Sequence, residues 1–220
     1  MIVGNLKPLD EMKANLPEGA KVLVLGCGGC VTVCQTGGAR AAEELAAALR
    51  LAGRQAEPLS LPRQCEWEFL DELIPVLPGF DLVLTLACGI GVQAMNARHP
   101  AWITLPALNT SFLGMPVRHG VFEERCQACG SCQLARTGGI CPVARCSKSL
   151  SNGPCGGSQN GVCEISKTVS CAWQLIYDRL KALNRLEDMV AYTPPRNWST
   201  SRDGGPRTMS REELMLDGDE

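Results

Sequence analysis

KVLVLGCGGCVTVCQTGGARAAEELAAALRLAG, Lys21–Gly53, decides the fold of this chain. Lys21–Gly26 is a short valine and leucine run ending in glycine, and Ala39–Ala52 is an alanine-rich amphipathic stretch closed by Gly53. A run buried on both faces, a glycine-rich loop and a capped amphipathic segment read as strand, loop and helix. Moving outward, the pattern recurs. Ala56–Leu61 predicts a second strand, Glu66–Leu77 a helix ended near Pro75 or Pro78, and Asp81–Ala87 a third strand. Gly91–Arg98 predicts a short helix and Ala101–Leu105 a fourth strand. Apolar strands alternating with helices imply an α/β class with an N-terminal parallel, Rossmann-like sheet covered on both faces, spanning residues 1–120.

From Pro106 to Arg125 the periodicity lapses, and PALNTSFLGMPVRHG reads as a proline- and glycine-punctuated connection. Residues 121–192 then form a small, irregular, cysteine-rich lobe: eight cysteines lie between Cys126 and Cys171, with many glycines and few large apolar residues. Such a segment cannot build an ordinary core, so metal ligation is expected to supply its folding energy. A terminal helix is expected over Ala172–Val190, where Trp173, Ile176, Leu180, Leu183 and Val190 keep helical spacing. The tail 193–220, rich in proline, glycine and mixed charge, is expected to be flexible until bound.

The 220 residues hold 21 Lys plus Arg against 23 Asp plus Glu, a formal charge of -2, which gives no footprint for nucleic acid or an anionic membrane. Met1–Lys21 lacks the apolar centre of a secretory signal, and no apolar run reaches membrane-spanning length. A cytoplasmic protein without membrane insertion is expected. Thiols stay reduced there, so the thirteen cysteines point to metal rather than to a disulfide scaffold. With only His99 and His119 available as imidazoles, the ligands must be thiolates, which suit iron-sulfur clusters and structural zinc.

Five cysteines follow strands. Cys27, Cys30 and Cys34 stand in GCGGCVTVCQTGG, Cys65 follows the second strand in PRQC, and Cys88 follows the third in ACGIG. In a parallel sheet those strand ends share one edge, where four thiolates would meet the requirement of a 4Fe-4S cluster. The set expected is Cys27, Cys30, Cys65 and Cys88, with Cys34 an alternative ligand. Singly, Cys34, Cys65 or Cys88 reads as a small buried apolar residue, and only their joint placement points to a cluster. A dinucleotide loop fits poorly, because Val31 stands where a third glycine is needed and no acidic residue ends the second strand. Thr36, Gly37 and Gly38 offer backbone amides to an anion or form an ordinary turn.

In the lobe, Cys126, Cys129 and Cys132 have the C-x2-C-x2-C spacing that wraps one face of a cubane cluster, and Cys141 precedes a proline as in ferredoxins but lies farther along the chain. Cys146, Cys155, Cys163 and Cys171 complete eight thiolates, enough for two four-ligand sites. Two clusters, one cluster and one zinc, or two zincs satisfy that count. Arg145 and Lys148 are candidates to offset thiolate charge.

GCGGCVTVC, PRQC, LACGIGVQ, PALNTSFLG, GICPVARCSKSLSNGPCGGSQNGVCE and CAWQLIYDRL, spread over residues 20–182, together resemble the methylenetetrahydrofolate reductase C-terminal domain family. The most specific motif among them is CSKSLSNGPCGG, Cys146–Gly157. The resemblance implies a small cysteine-rich subunit that accompanies the flavin-bearing catalytic subunit in acetogens and other anaerobes. It also implies an electron-transfer role: one N-terminal and one or two C-terminal 4Fe-4S clusters relay electrons to or from the partner's flavin, with zinc as the alternative in one C-terminal site. FMN or FAD and folate then sit in the partner, and further electron-transfer subunits are candidate neighbours. In agreement, the chain shows no acid-base pair or phosphate loop, so no catalytic residues are assigned. Two other readings are carried: a zinc-stabilised docking module without redox function, and a catalytic N-terminal site using an open cluster or Cys34. The helix after Cys171 and TMSREELMLDGDE, Thr208–Glu220, are candidate docking elements, though Trp173, Ile176 and Leu180 serve equally to cover the lobe's own sites.

Overall fold

A strand buried on both faces needs apolar cover above and below, and six of the seven residues of Lys21–Cys27 are buried in the computed structural model, which describes residues 1–211 together with Glu213 and Met215. In chain order the first unit contains β1 (Ile2–Leu6), α1 (Leu9–Ala14), β2 (Lys21–Cys27), α2 (Cys30–Val33), α3 (Gly38–Leu51), β3 (Gln55–Leu61) and α4 (Trp67–Asp71). It continues with β4 (Leu82–Leu86), α5 (Gly89–Arg98), β5 (Ile103–Pro106), β6 (Leu108–Arg118) and β7 (Val121–Cys126). The chain divides into two compact units, Met1–Glu124 and Arg125–Glu220.

β2 pairs in parallel with β3 on one side and β4 on the other, and β4 pairs in parallel with β5, giving the order β3-β2-β4-β5. Alternate residues of β2 enter different cores. Val22 and Val24 join Ala42, Leu45, Ala46 and Leu49 of α3, while Leu23 and Leu25 join Leu70, Leu73, Leu77 and Met95 on the opposite face. Each such fully buried leucine or valine contributes about 1.5–3 kcal/mol of transfer free energy. α3 presses on β2 so closely that a Cβ at Gly26 would stand 2.4 Å from Gly38 O.

The connection expected over Pro106–Arg125 is instead structured. β1, β6 and β7 form a second, antiparallel sheet in the order β1-β6-β7, with Ile2 opposite Leu113 and Leu6 opposite Leu108. Proline and glycine hid this sheet, and the register explains why they are tolerated. β1 ends where Met1 O accepts from Gly114 N at 3.0 Å, so Pro116 lies beyond the last rung on that side and no ladder bond is lost to it. His119–Gly120, with Gly120 at φ 71°, makes the tight turn into β7. The helix expected over Glu66–Leu77 is shortened to α4, followed by turns and a 3₁₀ turn at Leu77–Gly79, because Pro75 and Pro78 interrupt it.

The second unit holds α6 (Pro142–Arg145), α7 (Ala172–Ala182), α8 (Glu187–Val190) and a 3₁₀ turn at Arg202–Gly204. The single helix expected over Ala172–Val190 breaks at Asn184, which sits at φ 55°. Arg185 N donates to Leu180 O at 2.9 Å and Asn184 N to Lys181 O at 3.1 Å, the Schellman ending for which asparagine is a common left-handed residue. The unit's core cluster has only Trp173, Ile176 and Leu180 fully in it, with partly buried Ile140, Cys146, Cys171, Leu186 and Met189 around them. Of the tail 193–220, Glu212, Leu214 and residues 216–220 lie outside the described residues, and so does most of the C-terminal half of Thr208–Glu220. Among the described residues no helix is long and apolar enough to cross a membrane.

Because the methyl of Gly26→Ala collides with backbone, that substitution is expected to cost the first unit about 1–3 kcal/mol. Gly79→Ala, whose methyl meets nothing within 4 Å, is expected to stay within about 0.5 kcal/mol of the parent. Urea midpoints followed by amide signals of β2 and β4 measure both, and equal midpoints would exclude so close a contact between α3 and β2.

Candidate metal centres

Strands β2, β3 and β4 deliver their carboxyl ends to one edge of the sheet. Cys27 is the last residue of β2 and Cys30 begins α2; Cys65 follows β3, and Cys88 caps α5 directly after β4. The loops at this edge are tied together by backbone. Gly28 N donates to Leu61 O at 2.8 Å, and Thr32 Oγ1 donates to Cys27 O at 2.8 Å. A Cβ at Gly28 would stand 3.1 Å from Pro62 O, so a bulkier residue would push the two cysteine loops apart. Gly89 N donates to Thr110 Oγ1 at 2.8 Å, so the antiparallel sheet fixes the loop carrying Cys88.

Burial pushes the Cys65 thiol up, a backbone hydrogen bond at Cys65 opposes this, and the charges of Cys27, Cys88 and Glu66 raise it further. Cys30 and Cys65 are exposed, Cys27 is buried and Cys88 half-buried. Cys34 is buried in the same cluster as Cys27, with Cys88 packed against that cluster. Its Sγ lies 3.4 Å from Val31 O, 3.2 Å from Thr36 Oγ1 and 3.9 Å from Gly4 O under β1, the surroundings of a small buried residue.

Two residues that the sequence does not single out hold this edge. Gln64, completely buried, donates from Nε2 to Leu25 O at 3.1 Å and accepts the Thr85 hydroxyl on Oε1. A buried amide satisfied on both atoms anchors the Cys65 loop to β2 and β4, and an unpaired remnant would cost about 1–3 kcal/mol. A glutamine beside a cysteine carries no signal of such a role until the strands are assembled.

In the second unit the eight cysteines sort into two cavities of about 340 Å³ each. Cys126, Cys129, Cys132 and Cys141 line one, together with Arg125 and Arg196. Cys146, Cys155, Cys163 and Cys171 line the other, together with Arg145, Lys148 and Glu164. Local backbone produces this sorting. Ala128 at φ 49° and Gly130 at φ 79° curl the CQACGSC loop. Cys141 caps α6 by accepting from Ala144 N at 3.5 Å, and Cys146 ends the same helix, so one short turn carries a cysteine of each cavity. The antiparallel bridge of Val162 with Ser170 sets Cys163 opposite Val169 and Cys171 opposite Gly161, with Cys163 N donating to Val169 O at 2.9 Å and Cys171 N to Gly161 O at 2.8 Å. Trp173 Nε1 donates to Leu150 O at 2.9 Å, fastening α7 to the loop that bears Cys155.

Sulfur in these cavities already receives backbone N–H groups: Ala128 N reaches Cys126 Sγ at 3.3 Å and Gly157 N reaches Cys155 Sγ at 3.4 Å. The Ser147 hydroxyl holds the Cys163 thiol below its usual range, with the Ile165 N–H adding to the effect. Cys155 Sγ lies 3.5 Å from Glu164 Oε1, and that carboxylate also pairs with Lys148. As a donor set, four thiols with N–H groups on sulfur suit a 4Fe-4S cluster or tetrahedral zinc. The thirteen cysteines are free thiols, and no group of three or more His, Cys, Asp or Glu among the described residues stands in a metal-holding arrangement. Neither histidine lies in a cysteine set. His99 is buried with Nε2 2.9 Å from Leu70 O and its ring edge-on to Trp102, and His119 is in the β6–β7 turn.

Residues 105–199 match the family model described as methylene-tetrahydrofolate reductase C terminal. This is the family that the cysteine motifs resemble, and the match takes in all eight cysteines of the second unit while leaving residues 1–104 outside it. No curated protein and no solved structure matches the chain.

The partition predicts a cross-linking pattern. With a short bis-electrophile on metal-free reduced protein, linked peptides are expected within Cys126–Cys141 and within Cys146–Cys171, read by mass spectrometry. Cys34 is expected to stay unmodified until urea is added. Links between the two sets outnumbering links within them would refute the partition.

Proposed function

We propose that this chain, with its methylene-tetrahydrofolate reductase C-terminal region at residues 105–199, is the electron-relaying, non-catalytic subunit of a methylenetetrahydrofolate reductase complex. The observation that carries the reading is the sorting of eight cysteines into two four-thiol cavities joined by α6. Cys126, Cys129, Cys132 and Cys141 would hold one 4Fe-4S cluster and Cys146, Cys155, Cys163 and Cys171 another. Cys27, Cys30, Cys65 and Cys88 would hold a third at the sheet edge. Such clusters supply one-electron transfer at potentials set by charge, N–H···S bonds and exposure.

The chain's own residues do the rest. Cys141 and Cys146 are five residues apart along α6, which at about 1.5 Å per residue sets the ligands of the two cavities roughly 8 Å from each other along the helix. Ala128, Ala144 and Gly157 direct N–H groups onto sulfur. The flavin, FMN or FAD, and the folate belong to the partner subunit, and further electron-transfer subunits would meet the exposed edge carrying Cys30 and Cys65. Residues 1–120, 121–192 and 193–220 then serve as sheet domain, cluster lobe and tail in a cytoplasmic assembly.

Zinc in the second cavity is the alternative with an observation behind it. Cys146 and Cys171 pack against Trp173, Ile176 and Leu180, the small core of the unit, where a redox-silent ion would serve as a structural staple.

Anaerobically prepared protein is expected to contain iron and acid-labile sulfide, and to show broad visible absorption that bleaches on reduction. Cys132→Ser is expected to remove the iron of the first cavity and Cys163→Ser that of the second, with losses that add in the double variant. Zinc without iron or sulfide would sink the relay and leave the docking module; iron in the Cys132→Ser protein with zinc lost on Cys163→Ser would assign zinc to the second cavity.

A further inference from the structure

The first four-cysteine cavity has a wall that the cysteine pattern does not announce. Beyond Thr193 the chain returns to the CQACGSC loop. Thr200 Oγ1 donates to Cys129 O at 3.1 Å, and Arg207 Nη1 donates to Ala128 O at 2.8 Å and to Thr200 O at 2.7 Å. The approach is so close that a Cβ at Gly130 would stand 2.3 Å from Thr200 O. Arg196 reaches the cavity itself. Its Nη2 lies 2.7 Å from Cys129 Sγ and also donates to Ser131 O, and its guanidinium rests 4.5 Å from the centre of the Trp198 ring.

One donor of this guanidinium is left over. Arg196 Nε is buried without a partner, a costly state for a group that always carries its proton. The cavity that Arg196 lines has four sulfur donors and no carboxylate among its lining side chains. In the second cavity, by contrast, Lys148 is already paired with Glu164. Four thiolates outweigh the positive charge of either candidate metal group, so a loaded site is anionic and offers sulfur acceptors to a nearby N–H.

We propose that Arg196 is the charge-compensating and positioning residue of the first site: it holds Cys129 through Nη2, offers Nε to an anionic sulfur of the bound metal group, and anchors residues 196–207 as a strap over the cavity. The inference rests on the reading that these four thiols bind metal. It distinguishes the two cavities, because Arg196 of the first is directed at sulfur while Lys148 of the second is paired with Glu164. Arg196 acts through Cys129, as outer residues of metal sites commonly do, and their removal typically weakens metal binding by about 10–100-fold.

The test uses the full chain, anaerobically loaded with metal and challenged with a chelator, and follows alkylation of Cys126–Cys141 peptides against Cys146–Cys171 peptides. Arg196→Gln is expected to expose the first set about 10–100-fold faster than wild type while the second set stays protected, and Arg196→Lys is expected to restore most of the protection. Where the first site holds iron, its reduction potential is expected to fall in Arg196→Gln and to recover in Arg196→Lys. Wild-type rates for the first set in Arg196→Gln, equal exposure of both sets, or no recovery with lysine would each overturn the role of Arg196. A wild-type chain whose first set is alkylated at once would instead show that the cavity binds no metal, and the reading and the inference would fall together.

Discussion

Parallel pairing makes neighbouring strands point the same way, and in this protein the register also makes them end nearly level. Leu25 of β2 lies opposite Leu59 of β3 and Thr85 of β4, so the last residues of all three strands reach the edge within a few ångströms of one another. β2 hands the chain first to β3 on one side and then to β4 on the other, which makes this edge the switch point where open α/β sheets leave a crevice. Cys27, Cys65 and Cys88 come to this one edge because of the topology and in spite of their separation in sequence. The Gly28–Leu61 bond and the buried Gln64 amide hold the loops that carry Cys27 and Cys65 at that edge.

The two units obtain their order in different ways. The first has apolar cores on both faces of its sheet, deep enough to fix the cysteine loops from below. The second has three buried apolar residues at its centre and leaves its four-cysteine sets facing cavities. In a segment with so little hydrophobic driving force, metal held by the four-thiol sets, as proposed, would make cysteine geometry and folding one problem, since converging ligands would also supply long-range contacts. α6 condenses this into a single turn, one end of which belongs to each set.

What the sequence disclosed follows from the range of the forces involved. Lys21–Gly53 announces strand, loop and helix because burial on two faces and a helical stripe are local patterns, and the strands after it were legible for the same reason. β6 was not, since Gly114 and Pro116 read as breakers until the register shows Gly114 N–H bonded to Met1 O at the last rung and Pro116 beyond it, where that side of the ladder needs no donor. The stripe continuing through Leu183 and Val190 predicted one long helix, but backbone at Asn184 turns left-handed and ends it. The spacing of Cys126, Cys129 and Cys132 marked a site, while its fourth cysteine and its arginine depend on chain returning from residues 141 and 196, which no local pattern encodes. For Cys34 the motif offered both an alternative ligand and a small buried residue; its thiol is buried near the carbonyls of Val31 and Gly4, in one cluster with Cys27.

The pairing of β1 with β6 also sets an order of events during synthesis. Ile2 leaves the ribosome more than a hundred residues before its partner Leu113. At typical elongation rates of about 5–20 residues per second, β1 waits on the order of ten seconds with an unsatisfied edge. The parallel sheet has all its strands before then, so it is free to form while Cys34 still lacks its cover from Gly4. The nascent chain therefore passes through a stage in which the Cys34 thiol is open to solvent, a window that closes only when the antiparallel sheet is completed.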